Sequence, residues 1–179
     1  LNVLLRGLTP LTIAPFWRGI LEAQLVAFST ATAAGTLPVT TACVRHNLGV
    51  SDRFAKFVLP IGTTINMDGT ALYQVVAAIF VAQLYQIPLS GLDLATLSMT
   101  AGLASIGAAS IPGGGLVVLS MVMSSVNLPL EGIALIAGID RVLDMARTAT
   151  NVSSDALITV VLASRANELN EAIYEAPPE

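Results

Sequence analysis

Asp140, Asp144, Arg147, Asn151 and Asp155 follow one another at spacings of 4, 3, 4 and 4. That is the period of an α-helix, so the five side chains project from one face. The flanking residues 132–139 and 156–164 are uncharged and mostly apolar. A charged group inside an apolar membrane helix costs about 2.5–3.5 kcal/mol on insertion scales unless it is paired or lines a wet cavity. Three acids, a guanidinium and a carboxamide on one stripe therefore demand internal partners, and they make a site for a charged solute or for ions. The competing reading is a self-satisfied Asp–Arg network that only fixes helix packing. The rest of the chain weighs against it.

Of 179 residues, 54% are hydrophobic and 11% charged, against about 25% charged in a soluble domain. This predicts an all-α integral membrane protein. Eight Lys and Arg against twelve Asp and Glu, with no basic tract, exclude a nucleic-acid partner. A single cysteine, Cys43, rules out an internal disulfide and a Cys-based metal site. The single histidine, His46, sits beside Arg45 in a polar turn and reads as solvated rather than as a ligand. No nucleophile–base pair is evident, so an enzyme is not expected.

Residues 1–14 read as the end of a preceding helix and a linker. The chain enters mid-pattern, so it is expected to be the C-terminal part of a longer protein. A helical core is expected over 15–166. Its first part, 15–48, has a helix from Pro15 to about Thr32 and an uncharged run over 23–44 interrupted by Gly35-Thr36-Leu37-Pro38. Each arm is too short to cross a hydrocarbon core of about 30 Å, so this is a re-entrant helical hairpin with its break at Gly35–Pro38. Arg45, Arg53 and Lys56 mark the next connection as cytoplasmic. A broken helix spans 52–85, with Asn66-Met67-Asp68-Gly69-Thr70 as the polar interruption; backbone freed at membrane depth is tolerated only where it lines a site.

Residues 94–130 contain no charge, and 37 residues of straight helix would be about 55 Å long. Ile111-Pro112-Gly113-Gly114-Gly115 divides them, giving a second hairpin over 92–127 whose flanks lack Lys and Arg and so face outward. A polar helix over 130–166 carries the charged stripe. The tail, 167–179, is polar and acidic with Pro177-Pro178, and is expected to be disordered and cytoplasmic. The fold expected is therefore two oppositely oriented re-entrant hairpins plus interrupted transmembrane helices, an inverted repeat. Secondary transporters build their sites where such discontinuous helices meet.

These residues resemble the glutamate transporter family, the dicarboxylate/amino acid:cation symporters, whose members are among the sources of that last generalisation. The matching motifs are Gly35-Thr36-Leu37-Pro38, Leu59-Pro60-Ile61-Gly62, Asn66-Met67-Asp68-Gly69-Thr70, Ser105-Ile106-Gly107-Ala108-Ala109, Pro112-Gly113, and Gly138-Ile139-Asp140 through Asp155. The resemblance covers roughly 15–168, the mobile substrate-carrying core. It leaves out an N-terminal half that supplies a trimerisation scaffold.

The resemblance implies that Arg147 holds a substrate side-chain carboxylate, which a planar fork fits bidentately. Asp144 would take the α-ammonium. Asn151 and the hairpin tips, Ala31, Thr32 and Ala33 on one side and Ile111, Pro112 and Gly113 on the other, would take the α-carboxylate. Thr70 and Thr148 would add hydroxyl contacts, with Asp140 as a buried supporting acid. Sodium is the implied coupling ion, without an organic cofactor. One ion would use carbonyls of Gly62, Asn66 and Asn151 with the Asp155 carboxylate; a second, carbonyls of Thr64, Ser105, Ile106 and Ala108; a third, Asn66 and Asp68 with groups from the missing half. Oxygen-only ligation suits a hard cation.

Dicarboxylate carriers of this kind lack the acid at position 144, and neutral amino-acid relatives lack the Arg at 147. Both are present here, which favours aspartate or glutamate over C4-dicarboxylates or neutral amino acids. Proton-coupled bacterial relatives carry Asn at 155 and Leu at 67; Asp155 and Met67 favour sodium. One departure is the first hairpin tip, usually serine-rich, which reads Ser29-Thr30-Ala31-Thr32-Ala33-Ala34-Gly35. Ala33 stands where a serine hydroxyl often meets the α-carboxylate, a loss of about 1 kcal/mol. The expectation is an elevator-like sodium symporter of a plasma membrane, homotrimeric when complete, with the second hairpin as outer gate. A channel-like receptor whose stripe only gates ions is the alternative from another class.

Overall fold

In a computed structural model of the chain, residues 1–108 and 112–176 are described. The polar stripe lies on the longest helix, Asp140–Arg165, and the other elements are arranged around it. At 1.5 Å per residue its 26 residues make a rod of about 39 Å. Asp140 in its first turn and Arg165 in its last suit the helix dipole. From Asn151 onward nearly every side chain on it is buried. Among the described residues the regular structure is helical throughout, apart from an isolated antiparallel bridge between Val50 and Leu169.

In chain order the helices are α1 (Asn2–Leu8), α2 (Ile13–Gly19), α3 (Leu21–Thr30), α4 (Ala33–Ala42, continued by a π-helical turn at Cys43–Asn47), α5 (Asp52–Ile65), α6 (Asp68–Leu84), α7 (Gly91–Ile106), α8 (Gly114–Ser124), α9 (Gly132–Ala137), α10 (Asp140–Arg165) and α11 (Glu171–Glu175). Helices α3, α4, α5 and α6 all pack on α10, and α7 and α8 pack on α6 and on each other.

The first hairpin turns at Ala31-Thr32, not at Gly35–Pro38. Ala31 takes a left-handed conformation (φ 52°, ψ 38°), and the Thr32 hydroxyl accepts from Gly35 N at 3.1 Å. That cap starts α4 at Ala33, so Gly35 and Pro38 both lie within the helix. The helix expected from Pro15 to Thr32 is two helices meeting at Ile20, where Gly19 approaches Leu48 too closely for a Cβ.

The polar interruption is tighter than five residues. Asn66 and Met67 alone leave helical geometry, and Asp68 already stands in the first turn of α6. Taken as one interrupted rod, Asp52–Leu84 is the one candidate among the described residues that is long and apolar enough to cross a membrane. Helices α7 and α8 form the second hairpin, opened by a capping box between Ser90 and Asp93. The expected polar helix over 130–166 is divided: α9 ends before Gly138-Ile139, and α10 starts at Asp140.

The tail differs most from expectation. Asn170 caps α11 by accepting from the backbone N–H of Ala172 and Ile173, and Tyr174 is fully buried, its hydroxyl donating to Thr12 O at 2.7 Å. Asn170 N donates to Gly49 O, and Ser51 N to Glu168 O. Leu169 and Tyr174 supply an apolar face that a reading of overall polarity hides. Pro177-Pro178 lies outside the described residues.

Large apolar side chains also face outward. Leu72, Val76 and Phe80 form a stripe on α6, beside Met99 and Leu103 on α7 and Val117 and Met121 on α8. Exposed apolar side chains in this number suit a face that meets lipid or another protein segment.

Candidate functional site

Three stretches meet the polar stripe of α10: the Ala31-Thr32 turn, the Asn66-Met67 break, and Ala108 with Gly113 and Gly115 at the start of α8. Ala31, Ala33, Met67, Thr70, Ala108 and Gly115 enclose a cavity together with Asp144, Arg147, Thr148 and Asn151. Its free space is about 20 Å³, room for about one water. All five stripe residues are buried, with Asp144 3% and Arg147 6% exposed.

Within this site Arg147 Nη2 donates to Asp144 Oδ1 at 2.6 Å, and Gly113 N donates to Asp144 Oδ2 at 2.8 Å. Gly113, the N-cap of α8, is thus held by the same carboxylate that neutralises the arginine. Arg147 Nη1 is buried and has no hydrogen-bond partner among the described residues. The guanidinium carbon sits 4.4 Å over the Tyr73 ring, and the Tyr73 hydroxyl donates to Asp140 Oδ1 at 2.8 Å. Asp140 therefore supports the arginine through an aromatic platform rather than by direct contact. A Cβ at Gly115 would meet the guanidinium, so a side chain there would displace it from its present position.

Asn151 is fixed from α6. Its Oδ1 accepts from Gly69 N at 2.7 Å and its Nδ2 donates to Thr70 Oγ1 at 3.1 Å. Asn66 Nδ2 donates to Asp155 Oδ1 at 2.9 Å. Asp155 Oδ2 is buried without a partner among the described residues, and Asp155 lines a second cavity of about 270 Å³ together with Gly62 and Asn66. An orphaned carboxylate oxygen beside carbonyl-bearing backbone is a fit for a hard cation.

The structure gathers most of the expected residues. Ala31, Ala33, Thr70, Ala108, Asp144, Arg147, Thr148 and Asn151 share one cavity, and Gly62, Asn66 and Asp155 line the other. Thr32 caps α4, and Pro112 and Gly113 lie in the second tip. Ile111 lies outside the described residues. Of the second cation set, Ser105 is buried and its carbonyl accepts from Ala108 N at 3.1 Å, whereas Ile106 is exposed; α5, which bears Thr64, packs against α7. Asp68 accepts from Ser154 Oγ. Residues not singled out from sequence are Tyr73, Gly115 and Ser154. Tyr73 and Arg147 meet across two helices, and no local spacing signals that contact.

Residues 2–165 match the sodium:dicarboxylate symporter family. The chain is 52% identical over 140 residues to excitatory amino acid transporter 2 of Homo sapiens, covering 78% of this chain and 24% of that protein. It is 51% identical over 142 residues to an excitatory amino acid transporter of Caenorhabditis elegans (79% and 28%), and 47% identical over 166 residues to excitatory amino acid transporter 4 of Rattus norvegicus (91% and 30%). The family model covers nearly the whole chain, and the chain belongs to the sodium:dicarboxylate symporter family. It spans about a quarter to a third of the length of these curated relatives.

Proposed function

We propose that this chain is the substrate- and cation-binding core of a sodium-coupled symporter for acidic amino acids, aspartate or glutamate. The observation that carries the reading is Arg147: one terminal nitrogen is held by Asp144, and the other is buried and unpartnered among the described residues. A substrate carboxylate would take both nitrogens, and the Asp144 carboxylate so released would take the substrate ammonium. Asn151, held by Gly69 and Thr70, stands beside them for the α-carboxylate. The similarity to proteins named excitatory amino acid transporters supports the same substrate class.

Charge balance accounts for cation coupling. The buried acids Asp140, Asp144 and Asp155 oppose one buried cation among the described residues, Arg147, so an anionic substrate would enter a site that already has excess negative charge. In a low-dielectric interior that repulsion is prohibitive without cations. Sodium ions at Asp155 with Gly62, Asn66 and Asn151, and at Asp68 with Asn66, supply the compensation. A third set would draw on Thr64, Ser105, Ile106 and Ala108.

The cavity has room for about one water, so entry of an amino acid would need an element around it to move. Lifting Gly113 from Asp144 would open it, with the second hairpin as the gate. Elevator-like movement of the core against an N-terminal scaffold, a trimeric assembly, a plasma-membrane location and a cytoplasmic tail complete the proposal.

The test is uptake and counter-flow in proteoliposomes of the full-length protein. Sodium-dependent aspartate or glutamate uptake with counter-flow is expected. Accumulation of succinate or serine in preference to both acidic amino acids would contradict the substrate class, and flux without counter-flow would make the protein a channel.

A further inference from the structure

Ser154 lies beside Asp155 on α10, 1% exposed, and its hydroxyl joins the two acids assigned to cations above. Its Oγ donates to Asp68 Oδ2 at 2.5 Å and accepts from Asn66 Nδ2 at 3.1 Å. The same Asn66 amide nitrogen donates to Asp155 Oδ1 at 2.9 Å. Both amide hydrogens of Asn66 are therefore engaged by α10, which leaves its carbonyl oxygen as an acceptor for a cation. Asp155 and Asp68 are thus the two accepting ends of one chain of hydrogen bonds, in which the Asn66 amide donates to Asp155 and to the Ser154 hydroxyl, and that hydroxyl donates to Asp68. Hydrogen bonds linked in this way polarise one another, and each end feels a change of charge at the other.

We infer that Ser154 is a positioning residue that couples the Asp155 cation site to Asp68. Filling one site orders Asn66 and Ser154, and through them sets the carboxylate of the other. This rests on the cation reading of Asp68, Asn66 and Asp155. Without the hydroxyl, Asp68 loses a charge-assisted hydrogen bond and Asn66 loses one of its two anchors on α10. Ser153 is the natural control. It is equally buried on the same helix, but its hydroxyl donates to Ala149 O and accepts from Gln24, away from both acids.

The experiment titrates sodium against the full-length protein without amino acid, at constant ionic strength, and follows sodium-dependent thermal stabilisation. Ser154→Ala is expected to raise the sodium midpoint about tenfold or more, the loss expected for one hydrogen bond to a charged group, and to flatten the cooperative slope. Ser153→Ala should stay within about twofold of the parent, and Ser154→Ala should add little in an Asp68→Asn background, as for partners in one network. A Ser154→Ala midpoint and slope matching the parent would overturn the coupling role, as would full additivity with Asp68→Asn. A parent protein that is not stabilised by sodium would overturn the cation reading itself, and this inference with it.

Discussion

Arg147 Nη2 and Asp144 Oδ1 lie 2.6 Å apart on neighbouring turns of α10, while Nη1 of the same guanidinium is buried with no partner among the described residues. A buried donor left unmade costs about 1–3 kcal/mol. The arrangement is thus a half-used fork: Asp144 neutralises the arginine through one nitrogen, and the other is available to a ligand. Asp144 is shared in turn with Gly113 N, so closure of the second hairpin and neutralisation of Arg147 draw on one carboxylate.

Gly115 tests how closely the second hairpin must approach this fork. A Cβ there would meet the guanidinium, whose terminal atoms can shift but only away from their present aim. Gly115→Ala is expected to weaken aspartate binding by about tenfold or more, the scale of one displaced charged hydrogen bond, while sodium binding without amino acid changes little. Equilibrium binding of aspartate and of sodium to the full-length protein measures both; unchanged aspartate affinity would remove the contact from the site.

Gly113 holds φ at +79° at the hairpin tip. A β-branched residue there is strained by about 1–3 kcal/mol. Gly113→Val should slow amino-acid exchange more than it shifts equilibrium sodium binding. Exchange at the parental rate would mean that the tip does not gate.

Asp155 tests the cation. Asp155→Asn removes the charge from the orphaned Oδ2 and keeps the shape, so uptake should require far more sodium while the fold persists. Uptake by the parent driven by a pH gradient alone, in sodium-free buffer, would sink the assignment.

The tail makes a prediction about stability. Tyr174 fills a pocket with Phe16 and Leu48, and burial pushes its phenol pKa well above the ordinary value, so the hydroxyl remains a donor to Thr12 at all ordinary pH. Tyr174→Phe should cost about 1 kcal/mol for the hydrogen bond, and Tyr174→Ala about 3–5 kcal/mol for an emptied aromatic site. Thermal unfolding of the full-length protein separates the two; equal, negligible shifts would mean that the tail is not docked.

What could be read in advance followed from periodicity. The stripe at 140, 144, 147, 151 and 155 was legible because five polar side chains at helical spacing in apolar sequence have one burial solution. The broken helix was legible for the same reason, since Asn66 and Asp68 have no place in an unbroken apolar span. The first hairpin turn was not, because Gly35 and Pro38 are stronger local punctuation than Ala31-Thr32, yet a threonine cap and one left-handed alanine settled the turn four residues earlier. The Gly138-Ile139 offset and the docking of Tyr174 depend on tertiary packing. So do the Tyr73 platform and the Ser154 bridge, each made between α6 or its preceding break and α10.

Binding of acidic against neutral amino acids to an Arg147 variant addresses the central claim most directly. Sodium-dependent binding of aspartate, glutamate and serine would be compared in the full-length protein and in Arg147→Cys. Leaving a substrate carboxylate buried and unpaired costs about 3–5 kcal/mol, which at about 1.4 kcal/mol per decade is a hundredfold to a few thousandfold in affinity. The account predicts that loss for aspartate and glutamate, with serine unchanged or improved. A fall in aspartate affinity of less than about threefold, well under one decade, or an equal fall for serine, would make Arg147 a structural residue and contradict the account.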